Sequence, residues 1–385
     1  MRGSWCCKQG CGNTMGQAML IAGLVLTVFP RESIAEEPGG KKPSEVRCLA
    51  FSLDGRFLAG AGGNNLEQGE LVVWDAETLL PVWRRSEKVG FPRVAFSADG
   101  NTLALARFAP ETKLFDAATG KVLRTLPGHA DYSRSLAFHP DGQQLFTGGY
   151  DRTIMTWNST SGELLNKQHS SEERVYHIAI SPDGRMLASA SGTAGTAQLW
   201  DLTTNSPLHK FQKLGSFVPH LSFSPDGKLL SIASSTGDLR LFDTSTYQLA
   251  MRFKPGGGVR WSEFSPDRRF LAVVASELKC SVFSMSMTPD PNTKQKIEGL
   301  LSRLEDDSYA VREQATRELE TIGSPASDQL RQATKSPLAE VRWRARELSR
   351  RLTGPESAVR LAGHDSDLEC VTFSPNSKHL ATGDR

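Results

Sequence analysis

A hydroxyl, an imidazole and a carboxylate are the parts of a nucleophilic triad, and Thr147, His129 and Asp151 supply all three within one short stretch. Little else points to chemistry. No G-x-S-x-G, H-E-x-x-H or glycine-rich phosphate loop occurs, and no His, Asp and Glu stand at metal-ligand spacing. The six cysteines form no C-x-x-C or C-x-x-C-H pair, so neither zinc nor covalent haem has support. "GGNN" (Gly62–Asn65) reads as backbone freedom in a loop and not as a phosphate cradle. The expectation is a chain that is not an enzyme, with no catalytic residues, no metal and no cofactor. Whether His129 does chemistry depends on the elements that hold it.

Those elements repeat. "ISPDGRMLASASGTAGTAQLWD" (Ile180–Asp201) is echoed by "FSLDGRFLAGAG…LVVWD" (Phe51–Asp75) and "FSPDGKLLSIAS…LRLFD" (Phe223–Asp243). The turn acids Asp54, Asp99, Asp141, Asp183, Asp226 and Asp267 recur at intervals of 41 to 45, and Asn376 continues the series after a gap of 109. A period of that size is one supersecondary unit. Each unit reads as four short strands: an alternating run, a tight "PDG" reversal, a second apolar run, a third strand ending in aromatic-Asp, and a short outer strand. No unit can bury both faces of its own sheet, whereas radial stacking can.

Turn, Trp-Asp ending and period recurring in register resemble the WD-repeat β-propeller family, over Val46–Met285 and again from Ala358. The opening Gly-His pair of that family survives only as Gly128-His129 and Gly363-His364. The resemblance implies that His129, Thr147, Asp151 and Trp157 form a hydrogen-bonded structural tetrad within a blade, in place of a triad.

The strand pattern stops after Phe283. Ile297, Leu300, Leu301 and Leu304 form one helical stripe, and Val311, Ala315, Leu319 and Ile322 a second. Ser324-Pro325 and Ser336-Pro337 each set a capping hydroxyl ahead of a proline. A last helix carrying Leu338, Val341, Ala345, Leu348 and Leu352 ends at Gly354-Pro355. Four short amphipathic helices resemble a pair of HEAT-like hairpins. Such an insertion in a leader-bearing WD-repeat chain is similar to secreted proteins of planctomycete-type bacteria. The arginines of the final helix (Arg342, Arg344, Arg346, Arg350, Arg351) read as a solvated face balanced by Glu340 and Glu347, with a docking surface for an acidic partner as the alternative.

The expected fold is an all-β propeller of seven blades, the last incomplete, with an all-α HEAT-like insertion. Residues 1–35 read as a signal peptide, 36–45 as a linker, 46–289 as blades one to six and 290–354 as the insertion. Residues 355–385 supply the outer strand of blade six and the first half of blade seven. The insertion then occupies a third-to-fourth-strand turn, on the face opposite the channel mouth. No N-terminal segment is expected to complete the last blade, so the chain reads as part of a longer one.

In a propeller the loops joining fourth to first and second to third strands share one face. Two rows of innermost-strand residues crowd that face: Arg47, Pro92, Arg134, Tyr176, Pro219, Arg260 and Glu369, then Cys48, Arg93, Ser135, His177, His220, Trp261 and Cys370. Guanidinium groups beside aromatics suit protein recognition. Arg47, Arg93, Arg134, Tyr176, His177, His220, Arg260 and Trp261 are therefore the candidate partner-binding residues, although salt-bridging and stacking between blades is the plainer alternative.

Arg2 and Lys8 precede the apolar run Ala18–Phe29, and Ser33-Ile34-Ala35 follows with small residues at cleavage spacing. The run is too short to span a membrane and suits an export signal. Removal of Arg2, Lys8, Arg31 and Glu32 with it brings the formal charge from +2 to zero, which gives no electrostatic reason to expect nucleic acid. The protein is expected outside the cytoplasm, periplasmic or extracellular, with no membrane span after processing, as a scaffold for a protein or peptide. The competing class is a propeller enzyme or small-ligand sensor acting on extracytoplasmic polymers. A carboxylate pair in the channel would favour that class.

Overall fold

The computed structural model describes residues 18–21, 24–28, 46–63, 68–170, 173–193, 195–276, 279–285, 291–322, 326–353, 359–361 and 367–384. Ser33-Ile34-Ala35, the linker 36–45, Ser324-Pro325, Gly354-Pro355 and Gly363-His364 lie outside the described residues. The chain opens with β1 (Ala18–Ile21) and β2 (Leu24–Val28). Blade one is β3 (Val46–Phe51), β4 (Phe57–Gly63), β5 (Gly69–Asp75) and β6 (Pro81–Glu87); blade two is β7 (Arg93–Phe96), β8 (Thr102–Ala106), β9 (Thr112–Asp116) and β10 (Val122–Leu126). Blade three is β11 (Ser133–Phe138), β12 (Gln144–Gly149), β13 (Thr153–Asn158) and β14 (Leu164–His169). Blade four is β15 (Val175–Ile180), β16 (Met186–Ser191), β17 (Ala197–Asp201) and β18 (Ser206–Phe211). Blade five is β19 (Leu221–Phe223), β20 (Leu229–Ala233), β21 (Leu239–Asp243) and β22 (Leu249–Phe253). Blade six begins with β23 (Val259–Phe264), β24 (Phe270–Ala275) and β25 (Lys279–Ser284). Four helices follow, α1 (Pro291–Arg303), α2 (Tyr309–Ile322), α3 (Ser327–Ala333) and α4 (Ala339–Thr353), before β26 (Val359–Leu361), β27 (Leu368–Phe373) and β28 (His379–Asp384).

Six antiparallel four-stranded sheets form the blades of a β-propeller, β26 pairing with β25 across the helices as the outer strand of the sixth. Each turn between first and second strands is built by its own side chains. Ser52 Oγ donates to Asp54 Oδ1 (2.7 Å), which also accepts the Arg56 N–H (3.0 Å), while Ser52 Oγ accepts the Phe57 N–H (2.9 Å). Ser181–Asp183, Ser224–Asp226 and Ser265–Asp267 repeat the hydroxyl–carboxylate bond at 2.6 Å. Gly55 takes φ 74° in this turn, and Arg268 and Ser377 hold the same left-handed position at 63° and 57°. The Asp of each aromatic-Asp pair caps the next turn: Asp75 Oδ1 accepts the Thr78 N–H at 2.8 Å, and Asp116 that of Thr119 at 2.8 Å. The repeating acids thus act in backbone reversals. Between the blades lie fully buried Leu58, Leu71, Leu103, Leu105, Phe115 and Leu145, each worth about 2 kcal/mol of transfer free energy.

The last sheet differs from the six. β27 and β28 pair antiparallel, β27 packs against both β23 and β3, and β28 is paired in parallel by β2, which pairs with β1. This corrects the expectation that no N-terminal segment joins that sheet: β1 and β2, from the apolar run read as a leader, pair along β28. An open sheet edge is a template for any apolar, β-compatible segment, and β28 takes Leu24–Val28.

The four helices have their own core, containing Ile297, Leu300, Leu304, Ala315, Leu319, Leu330, Val341, Ala345 and Leu348. Leu338, placed in the last stripe, is instead exposed. α2 and α4 begin alike: Arg312 Nη1 donates to the carbonyls of Asp306 (2.6 Å) and Asp307 (2.9 Å), and Arg342 Nη1 to those of Ser336 (2.7 Å) and Pro337 (2.6 Å). Arg344 does not belong to a solvated face. It is 4% exposed, bonds Glu340 of its own helix (2.7 Å) and joins α4 to α2 through Glu313 (3.2 Å) and Thr316 (2.9 Å). Among the described residues no helix is long and apolar enough to cross a membrane.

Candidate functional site at the channel mouth

The parts of a triad are present in blade three but cannot act as one. Trp157 Nε1–H donates to Thr147 Oγ1 (2.9 Å), which lies 2.9 Å from His129 Nε2, and His129 Nδ1 lies 2.9 Å from Asp151 Oδ1. An indole only donates and a carboxylate only accepts, so the protons run from Trp157 to Thr147 to His129 and from His129 Nδ1 to Asp151. Asp151 further accepts from Ala130 N–H and Thr153 Oγ1. Burial opposes its charge, but these bonds outweigh burial and hold its carboxyl far below the ordinary range. Thr147 is fully buried, so no substrate reaches its hydroxyl. Blade four keeps part of the pattern, with Trp200 Nε1 on Ser189 Oγ at 3.0 Å and Ser170 Oγ on the same oxygen at 3.1 Å.

The mouth is made by a bulge. In β3, β11, β15, β23 and β27 the register against the second strand slips by one, at Arg47, Arg134, Tyr176, Arg260 and Glu369. A bulged residue has no partner opposite and its side chain is re-aimed. Pro92 and Pro219 hold the matching places ahead of β7 and β19, where no ladder N–H is needed. Together with Arg93, Phe217 and Trp261, this row lines a cavity of about 400 Å³.

Its cations stack on rings. Arg134 Cζ lies 4.0 Å from the centroid of Tyr176, Arg93 Cζ 4.1 Å from that of Trp261, and Arg47 Cζ 5.7 Å from that of Phe108. An aromatic arc runs Phe108–Tyr132–Tyr150–Tyr176–Phe217, with neighbouring centroids 4.4 to 6.2 Å apart. Four of its members escaped the sequence reading, although Phe108 and Tyr150 lie within two residues after second strands and Tyr132 and Phe217 shortly precede first strands. Those are the loops assigned to this face. Arg260 is tied up: it pairs with Asp367 at 3.0 Å and with Glu369.

The second row lies deeper than expected. His177 and His220 are absent from the mouth lining, buried, and in tilted ring contact at 4.2 Å, with His220 stacked on Trp261 at 4.0 Å. Burial, then the charge of Arg93, holds both imidazoles well below their usual value, so both are neutral. Residues of this row stitch blades together: Cys48 Sγ accepts the Val94 N–H (3.5 Å), Ser135 Oγ that of Ile178 (2.9 Å) and His177 Nδ1 that of Leu221 (3.2 Å). His177 and His220 therefore join the packing of the ring and line a deeper cavity in place of the mouth.

Below them a second cavity of about 560 Å³ opens toward Pro140, Pro182, Pro266 and Pro375 of the tight turns, and Arg93 and Trp261 line both spaces. Its carboxylate is Glu263, standing where four other repeats carry Ala50, Ala95, Ala137 and Ala179. That departure was the legible signal. Burial pushes Glu263 up to about 7, against hydrogen bonds from the Phe373 N–H (3.2 Å) and Thr372 Oγ1 (3.0 Å). Burial also pushes the Cys280 thiol up to about 12. Among the described residues no three His, Cys, Asp or Glu stand close enough to share a metal ion.

A family model described as WD domain, G-beta repeat, matches residues 35–75, 120–158, 162–201 and 355–385. The chain is similar to Protein groucho of Drosophila melanogaster, 27% identical over 40% of this chain and 22% of the relative. It is also similar to an uncharacterized WD repeat-containing protein of Synechocystis, 30% identical over 36% of this chain and 39% of the relative. WD repeat-containing protein 3 of Homo sapiens is 26% identical over 39% of this chain and 16% of the relative. The matched stretch thus spans less than half the length of each of these relatives. Period, blade topology and these matches agree: the chain carries WD40 repeats, and its sheets are arranged as a β-propeller.

Proposed function

We propose that this protein is a non-catalytic scaffold, exported from a bacterial cytoplasm, that binds a protein or peptide at its channel mouth. The observation that carries the reading is the lining itself. Arg93 and Arg134 lie against Trp261 and Tyr176 at the edge of an open cavity, where rigid rings and planar cations offer contact area at low entropic cost. No carboxylate pair is found among the described lining residues: Glu369 is spent on Arg260, and Glu263 is held by β27. That weakens the case for a hydrolase. The four helices, read as two HEAT-like hairpins, add a second surface, with Tyr309 and Trp343 exposed.

Export rests on the composition of residues 1–35. The same apolar run lies along β28 in the folded chain, a pairing that processing would release. Two measurements test the proposal. Residues 1–45 fused to a reporter enzyme active only outside the cytoplasm should give activity in a bacterial host, and silence would refute export. Peptides selected on the immobilised protein should compete for one site and lose affinity on Tyr176→Ala. Selection that is indifferent to Tyr176→Ala and to Arg134→Ala would refute binding at the mouth.

A further inference from the structure

We infer that the mouth cavity takes the carboxylate of an acidic peptide side chain, held by Arg93 and Arg134. The inference rests on the proposed peptide binding and adds the chemistry of what is bound. Arg93 is 7% exposed, and the hydrogen-bond partner of its guanidinium is Cys48 Sγ at 3.8 Å, a weak acceptor. Its Nε is buried without a partner. Arg93 and Arg134 form no ion pair among the described residues, and Arg134 Nε is likewise buried without an acceptor. Their charges repel each other. Glu263, the buried acid whose carboxyl feels Arg93, is engaged by Thr372 and Phe373 of the next blade.

A buried cation without a counter-charge is costly, and a second, half-buried one converging on the same cavity adds to that cost. Such an arrangement persists where a ligand supplies the missing anion. A guanidinium presents paired N–H donors to the two oxygens of a carboxylate. The walls beside it, Tyr176, Phe217 and Trp261, suit the apolar atoms of a peptide. Arg260 does not compete, because Asp367 and Glu369 already neutralise it.

A random peptide-display library selected on the full chain provides the test. Selected peptides should be enriched in Asp or Glu at one position. Replacing that residue by Gln or Asn should weaken binding about tenfold or more in fluorescence polarisation. The enrichment should vanish on Arg134→Gln and on Arg93→Gln. Arg93 is buried, so Arg134→Gln, at a half-buried rim position, carries the test if Arg93→Gln melts early. Peptides selected at the mouth without acidic enrichment would overturn the carboxylate and leave peptide binding standing. Acidic enrichment unchanged in both variants would place the anion elsewhere and overturn the site. If replacing the acid by phosphoserine tightens binding more than tenfold, the cavity is a phosphate site and the inference fails. No selected peptide at all would overturn both readings.

Discussion

Glu263 gives the most demanding check on the packing of the ring. It sits on β23, and its carboxyl accepts the Phe373 N–H and the Thr372 hydroxyl of β27, so it bridges the sixth blade to the last sheet. Its folded value of about 7 against 4.5 for the free group means that the folded protein prefers it protonated. The stabilisation is therefore fully present below pH 4.5 and is lost as pH rises through 7. Between those limits the folded state binds the extra proton, and stability falls by up to 1.36 kcal/mol per pH unit. The whole loss is about 3 kcal/mol. Glu263→Gln keeps an acceptor for the Phe373 N–H and carries no titrating proton. Urea unfolding of both proteins from pH 5 to pH 8 should show the difference between them growing with pH in favour of Gln, by about 2 to 3 kcal/mol at pH 8. Taking the difference removes groups that titrate alike in both. Parallel curves over this window would refute the reasoning and show that Glu263 ionises in the folded chain at little cost.

Thr147→Val should cost about 2 kcal/mol in urea unfolding, because the Trp157 N–H and His129 Nε2 would both be buried without a partner; a loss below about 0.5 kcal/mol would refute the tetrad's role. Gly149→Ala should be comparably damaging, since its Cβ would lie 2.3 Å from His129 Nδ1, and unaltered melting would count against that geometry. Arg344→Met should destabilise the helical unit by about 1 kcal/mol, discounted because Glu313 and Glu340 are partly exposed; helix-specific hydrogen exchange would detect it, and unchanged exchange would refute it. Deleting residues 1–35 should speed amide exchange along His379–Asp384, where β2 pairs with β28, and unchanged protection would refute that pairing.

What could be read from the sequence was local. A turn closed by Ser52, Asp54 and Phe57 is complete within six residues, so its chemistry shows in any linear reading. The same holds for the Asp75–Thr78 cap and for the 3.6-residue stripe that buries Ile297, Leu300 and Leu304. Period and turn together gave the propeller, and the matching places of His129, Thr147, Asp151 and Trp157 pointed to their network. Tertiary structure decided everything that joins one blade to another. In the sequence, distance from the tight turn places both rows at the channel mouth, although successive side chains of a strand alternate. A bulge re-aims Arg134 and Tyr176 to the mouth, while the next residue in line, His177, turns inward to bond Leu221. The neutralisation of Arg260 by Glu369 spans 109 positions, and the arc from Phe108 to Phe217 collects rings from four blades. The leader-like run on β28 was decided in the same way, by an open edge offering backbone hydrogen bonds to a segment far away in the chain. Such contacts depend on how repeats stack, and no single repeat contains that information.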